Sequence, residues 1–164
     1  KMGQHLTDRR FIMPLTRRSA IGLLALAPVA SIIGLPVHAA EPETFQVDGL
    51  AIRGVDPVAY FTDAKPVKGS SDHTVSHNGA TWQFVSAANK DAFIADPEKY
   101  GARYGGYCAY AASKGGLAKT VPEAWTIYED RLYLNFSVQV RGIWAEDIPG
   151  NIAKADANWP GILG

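Results

Sequence analysis

Cys108 is the sole cysteine among 164 residues, so a single thiol carries whatever sulfur chemistry the chain has. It can act as a nucleophile, as a soft-metal ligand, or as a small buried hydrophobe. It has no second cysteine for an internal disulfide. Gly105-Gly106 precedes it and lets the backbone come close to a helix start, so Cys108 is expected in that helix's first turn. There, unpaired N–H groups and the helix dipole would favour a thiolate. His73 and His77 stand four apart in a stretch that reads as a strand, which puts both imidazoles on one face. Two imidazoles near a thiolate would make a copper or zinc site. Plainer roles stand beside that one. His77 flanks a turn and fits an exposed position, and His73 fits equally as a hydrogen-bonded histidine at a core edge.

Tyr100, Tyr104, Tyr107 and Tyr110 surround the cysteine in sequence and suit either core packing or the lining of a pocket. Lys114, six residues on, would either favour the thiolate or end its helix in solvent. The acids are scattered without paired-carboxylate spacing. No Gly-rich phosphate loop, Cys-x-x-Cys pair or Ser-His-Asp pattern is present.

These residues need elements to position them. His77-Asn78-Gly79-Ala80 predicts a hairpin, because Asn-Gly accepts the positive φ angles of a type I′ turn. The implied register pairs His77 with Ala80, Val75 with Trp82 and His73 with Phe84 on one face, and Ser76 with Thr81 and Thr74 with Gln83 on the other. A second hairpin is expected around Glu129-Asp130, with Ile127/Leu132 and Trp125/Leu134 on one face and Thr126/Tyr133 opposite. Asp56-Pro57 reads as a helix start opening a turn through Val58-Ala59-Tyr60-Phe61. Ser86 caps a helix to about Ala95, Asp96-Pro97 starts another through Tyr100, and a third carries Tyr107 to about Ser113, stopped by Gly115-Gly116. From Ser137 to Asp147, a stripe of Val140, Ile143, Trp144 and Ile148 predicts a helix ended by Pro149-Gly150, with a last short helix leading to Trp159-Pro160. Glu41 to Glu43 reads as a loose end. The pattern is α+β: two β-hairpins with several short helices in a single compact domain.

The neutral total charge averages two unlike pieces. Residues 1–39 hold five Lys and Arg against Asp8 alone, which leaves 11 basic and 15 acidic residues of the 16 and 16 for 40–164. Ala20 to Val37 is uncharged, Thr16-Arg17-Arg18 stands before it, and Val37-His38-Ala39 has the form of a peptidase site. This is the layout of a twin-arginine-type signal peptide over residues 1–39, with Met13 as a candidate initiator, followed by a domain over 40–164. Pro28, Pro36, Gly22 and Gly34 weaken the alternative of a membrane anchor. General secretion remains the other export route. The expected location is the periplasm. A mildly acidic domain without a Lys/Arg run argues against nucleic acid and against anionic lipid after cleavage of the signal.

Asp56-Pro57-Val58, Gly79-Ala80-Thr81-Trp82-Gln83-Phe84, Phe93 and Asp96-Pro97-Glu98-Lys99-Tyr100 together resemble the motif string of the YHS family. Residues 101–164 are similar to its exported stand-alone subgroup, through Tyr104-Gly105-Gly106-Tyr107-Cys108-Ala109, Leu132-Tyr133-Leu134-Asn135 and Ala155-Asp156-Ala157-Asn158-Trp159-Pro160. The resemblance implies metal binding, since such domains occur attached to copper-transporting ATPases and some oxygenases. It also implies cysteines at three positions, which this chain fills with Ala59, Val85 and Asn89, so that soft-metal site is absent. Some members of the subgroup carry selenocysteine, a position that maps onto Cys108. Two readings follow. One is a module that binds or relays copper or zinc through Cys108 with His73 or His77. The other is a thiol redox protein using Cys108 as nucleophile on a small substrate, with an external thiol resolving the product. A structural accessory domain without chemistry is the third.

Overall fold

The chain enters the fold through a strand pair that no sequence signal announced. A computed structural model describes residues 40–164, and the expected leader, with Arg17-Arg18, lies outside the described residues. Strand β1 (Gln46–Val47) turns at Asp48-Gly49 into β2 (Leu50–Ala51), and both turn residues have positive φ. Two-residue strands are too short to show an alternating pattern. β2 then lies parallel to a later strand, with Leu50 opposite Thr81. Glu41 to Glu43 are not loose. The Glu41 N–H donates to the Leu163 carbonyl (2.8 Å), the Tyr107 hydroxyl donates to the Pro42 carbonyl (2.9 Å), and Asn78 Nδ2 donates to Glu43 Oε1 (3.1 Å).

Helix α1 (Ala59–Thr62) starts where Asp56-Pro57 predicts. Strands β3 (Ser70–His77) and β4 (Ala80–Phe84) form the expected hairpin around Asn78 (φ 47) and Gly79 (φ 74), completing a sheet of order β1-β2-β4-β3. The register holds from His77↔Ala80 to Thr74↔Gln83, but Phe84 pairs with Ser70 rather than with His73. A bulge between Ser70 and Thr74 takes His73 out of the ladder. Its local cause is visible in the Asp72 N–H, which donates to Ser70 Oγ (3.1 Å).

Helix α2 (Ala87–Ala95) is capped by Ser86 and α3 (Pro97–Tyr100) by Asp96, each side chain accepting the N–H three residues on. A 3-10 turn over Arg103–Gly106 leads to α4 (Ala109–Ser113). Strands β5 (Trp125–Tyr128) and β6 (Arg131–Leu134) pair in the predicted register throughout. Helix α5 (Val138–Ala145) buries Trp144 completely but leaves Ile143 46% exposed, so the predicted stripe does not hold. Pro149 does not end a helix either. Asp147 accepts the Gly150 N–H and starts α6 (Ile148–Asn158), with Pro149 in its first turn, where a missing N–H costs nothing.

The β5–β6 hairpin separates two apolar clusters. Leu132 and Leu134 join Tyr60, Trp82, Phe84 and Phe93 on one side, while Tyr133 joins Tyr104, Ala109, Trp144 and Ala155 on the other. The domain is α+β, as the residue pattern predicts. Among the described residues, no helix is long and apolar enough to cross a membrane.

Candidate functional site

Cys108 is the N-cap of α4, not a residue of its first turn. Its extended backbone (φ −62, ψ 116) pairs with Leu134 in a parallel bridge, and its N–H donates to the Ala118 carbonyl. The sulfur therefore points where a capping oxygen would, and Sγ accepts the Ala111 N–H (3.5 Å) and the Phe136 N–H (3.3 Å). Asn135 Oδ1 lies 3.6 Å from Sγ as acceptor of the thiol and also accepts the Tyr110 N–H (3.2 Å). Asn135 is fully buried, and its Nδ2 has no partner among the described residues. Cys108 is only 1% exposed, with the Asn135 side chain and the Phe136 N–H in contact with its sulfur.

Gly105 and Gly106 serve a different approach from the expected one. Both have positive φ, and a Cβ at Gly105 would collide with the Glu43 carbonyl oxygen, while one at Gly106 would collide with Ile52. They let the entering strand segment pass, and Phe45 N–H donates to the Gly105 carbonyl there (2.9 Å). Lys114 does not serve the thiol: its Nζ sits 4.8 Å from the Tyr110 ring centroid.

The three positions where the YHS resemblance implies cysteines converge on one carboxylate. Asp56 is fully buried, and its Oδ1 accepts the N–H groups of Val58 (2.8 Å) and Ala59 (3.3 Å). Its Oδ2 accepts the Val85 N–H (2.9 Å) and Asn89 Nδ2 (2.8 Å). Ala59, Val85 and Asn89 thus surround the hydrogen-bonded Asp56 side chain and present no thiol.

The histidines take separate places. His77 meets the edge of Phe93 at 5.5 Å and lines a small cleft, while His73 sits half-buried in the bulge. Among the described residues, no three His, Cys, Asp or Glu side chains come together in a group that could hold a metal ion. The centre expected from Cys108, His73 and His77 is therefore not assembled: the thiol caps α4 beside β6, while His77 ends β3 and His73 lies in its bulge.

The cleft beside His77 has a volume of about 130 Å³ and includes Glu43, Glu98, Arg103, Tyr104 and Trp159 in its wall. Arg103 donates to Asp156 (3.0 Å) and lies 5.5 Å from the Tyr104 ring centroid. Tyr104 donates its hydroxyl to the same carboxylate (2.9 Å). Burial, that hydrogen bond and the charge of Asp156 push the Tyr104 phenol above the ordinary tyrosine range, so it stays a neutral donor. Sequence reasoning missed Arg103, Glu43 and Glu98 as a group, and no spacing signal joins residues so far apart. Asn135 belongs to the Leu132-Tyr133-Leu134-Asn135 string, yet its contact with Cys108 spans 27 residues.

No curated protein and no solved structure matches the chain. The family model described as YHS domain matches residues 58–104, which hold Ala59, Val85, Asn89 and both histidines but end before Cys108. YHS domains are associated with metal ions, copper among them. Residues 58–104 of this chain are a YHS domain.

Proposed function

We propose that this protein handles a soft metal ion as cargo, Cu(I) before Zn(II), in an exported compartment, with Cys108 as its one soft ligand. The observation that supports Cys108 is the pair of backbone N–H donors on Sγ, from Ala111 and Phe136. Such outer hydrogen bonds are what hold and tune a metal-bound thiolate. His73 and His77 do not complete this ligand set, so the remaining coordination comes from a donor outside the domain, such as a partner's thiol. Loading requires the groups that bury the sulfur, the Asn135 side chain among them, to move aside. In Cu(I) competition against a calibrated chelator, Cys108→Ser should weaken binding well over tenfold, while His73→Ala and His77→Ala leave it unchanged. Absence of stoichiometric Cu(I) binding by the wild type, or equal binding by Cys108→Ser, overturns the proposal.

A second reading is favoured by the isolation of Cys108 from other ligand side chains and by the unpartnered Asn135 Nδ2. In it, Cys108 attacks a hydroperoxide: an S–O bond forms, the O–O bond breaks, and the alcohol leaves with a proton. An external thiol then condenses with the sulfenic acid, releasing water, and a second thiol frees Cys108 by exchange. Thiol-driven turnover of a hydroperoxide, lost in Cys108→Ser, with no Cu(I) binding in the wild type, selects this reading over the first.

A further inference from the structure

The sulfur of Cys108 carries three hydrogen bonds, and only one of them uses its hydrogen. Sγ accepts the Ala111 N–H (3.5 Å) and the Phe136 N–H (3.3 Å), and the thiol donates to Asn135 Oδ1 (3.6 Å). Sulfur is a weak partner in such bonds, and serine, threonine, aspartate or asparagine caps a helix better than cysteine. The cap of α4 therefore gives no reason of its own for a thiol. Asn135 is costly too. It is fully buried, and its Nδ2 has no partner among the described residues, which is destabilising for a buried donor. Turning the amide over would not relieve this. The Tyr110 N–H donates to Oδ1 (3.2 Å), and after a turn that donor would face another donor. The main chain of Asn135 is tied down as well. Its N–H donates to the Ala124 carbonyl (2.9 Å) and its carbonyl accepts the Val121 N–H (3.2 Å). An oxygen, and not a nitrogen, is thus held against the sulfur.

We propose that Asn135 is the positioning residue of Cys108. Its amide oxygen holds the thiol hydrogen, fixes the sulfur in one orientation with its lone pairs on the Ala111 and Phe136 N–H groups, and restrains it from reacting. The stranded Nδ2 follows from presenting Oδ1 to two donors at once, the thiol and the Tyr110 N–H. Whatever takes the place of that hydrogen on sulfur, an ion or an electrophilic atom, first has to displace Oδ1. The role rests on the reading of Cys108 as the functional sulfur, but the bond itself exists without metal or substrate.

The S–H stretching band tests the bond directly, because Cys108 is the sole thiol of the chain. Infrared spectra of the full-length, metal-free protein should show one narrow band, at lower frequency than in the urea-unfolded chain. Asn135→Leu keeps the bulk and removes the oxygen, so its band should move to higher frequency. Asn135→Asp keeps an acceptor and should retain the low band. Iodoacetamide should label Cys108 at least tenfold faster in Asn135→Leu than in wild type, with no such gain in Asn135→Asp. An Asn135 that only supports the fold would shift thermal midpoints and leave the band in place. A wild-type band at or above the unfolded frequency overturns the proposal, even if Asn135→Leu does not fold. So does an unmoved band in folded Asn135→Leu, or labelling of that variant no faster than wild type. A band that moves as expected, in a protein that binds no Cu(I), upholds this role and removes the metal reading.

Discussion

Asp56 shows how one side chain can tie distant parts of a chain together. Its four accepted bonds come from Val58, Ala59, Val85 and Asn89, so it joins the start of α1 to the end of β4 and the first turn of α2. Removing the carboxylate strands four donors at once, two of them buried and two part-buried, against a usual cost of about 1–3 kcal/mol for each unsatisfied buried group. Asp56→Ala should therefore lose at least about 3 kcal/mol, read as a lower urea midpoint with an unchanged slope. Asp56→Asn keeps one acceptor oxygen and should lose less; equal stability of Asp56→Ala and wild type would refute this role. Half of the arrangement is legible in sequence, because Asp-Pro signals a helix start and that predicts the two local bonds. The Val85 and Asn89 bonds span 29 and 33 residues and leave no periodic trace. Cys108 stands one position before the helical turn that a Gly-Gly entry suggests, because its strand-like bridge to Leu134 holds it extended.

Elements were most readable where turn chemistry is strict. Asn78-Gly79 and Glu129-Asp130 both take the paired positive φ angles of a tight hairpin, and both registers follow from that. The β3 bulge and the β1–β2 pair were not readable, since one depends on a local Ser70 bond and the other on strands of two residues. Pro149 illustrates the ambiguity of proline, which follows a finished helix or opens a new one according to the cap before it. Gly105 and Gly79 permit a controlled test of the close approach at the strand entry. Both have positive φ, but a Cβ at Gly79 meets nothing within 4 Å, whereas one at Gly105 strikes the Glu43 carbonyl. Gly79→Ala should cost about 1–2 kcal/mol from its backbone angle alone. Gly105→Ala should cost clearly more, because backbone must shift and the Phe45 bond to the Gly105 carbonyl is disturbed. Thermal midpoints of the two variants decide it, and equal losses would show that the collision is relieved without cost.

At the scale of the whole molecule, the matched family segment is not self-sufficient. Residues 58–104 end inside a fold whose core also needs Leu132 and Leu134, and whose second cluster comes mainly from later elements. The two ends of the described chain meet as well, through Glu41 on Leu163, and Tyr107 ties the start of the chain to its middle at Pro42. The start of the domain is thus tied to its last residues. Cleavage after Ala39 would leave both of these contacts in place. Released protein should therefore begin Ala40-Glu41-Pro42 by N-terminal sequencing, and Arg17→Lys with Arg18→Lys should leave unprocessed precursor inside the cell. The route itself is tested by coupling export to folding. If the twin-arginine path carries this chain, Asp56→Ala should be retained along with the double-lysine variant, because a destabilised domain is not presented folded. General secretion predicts the reverse, since an unfolded chain is its substrate and its signal tolerates lysine. Undiminished release of both variants would assign export to that second route.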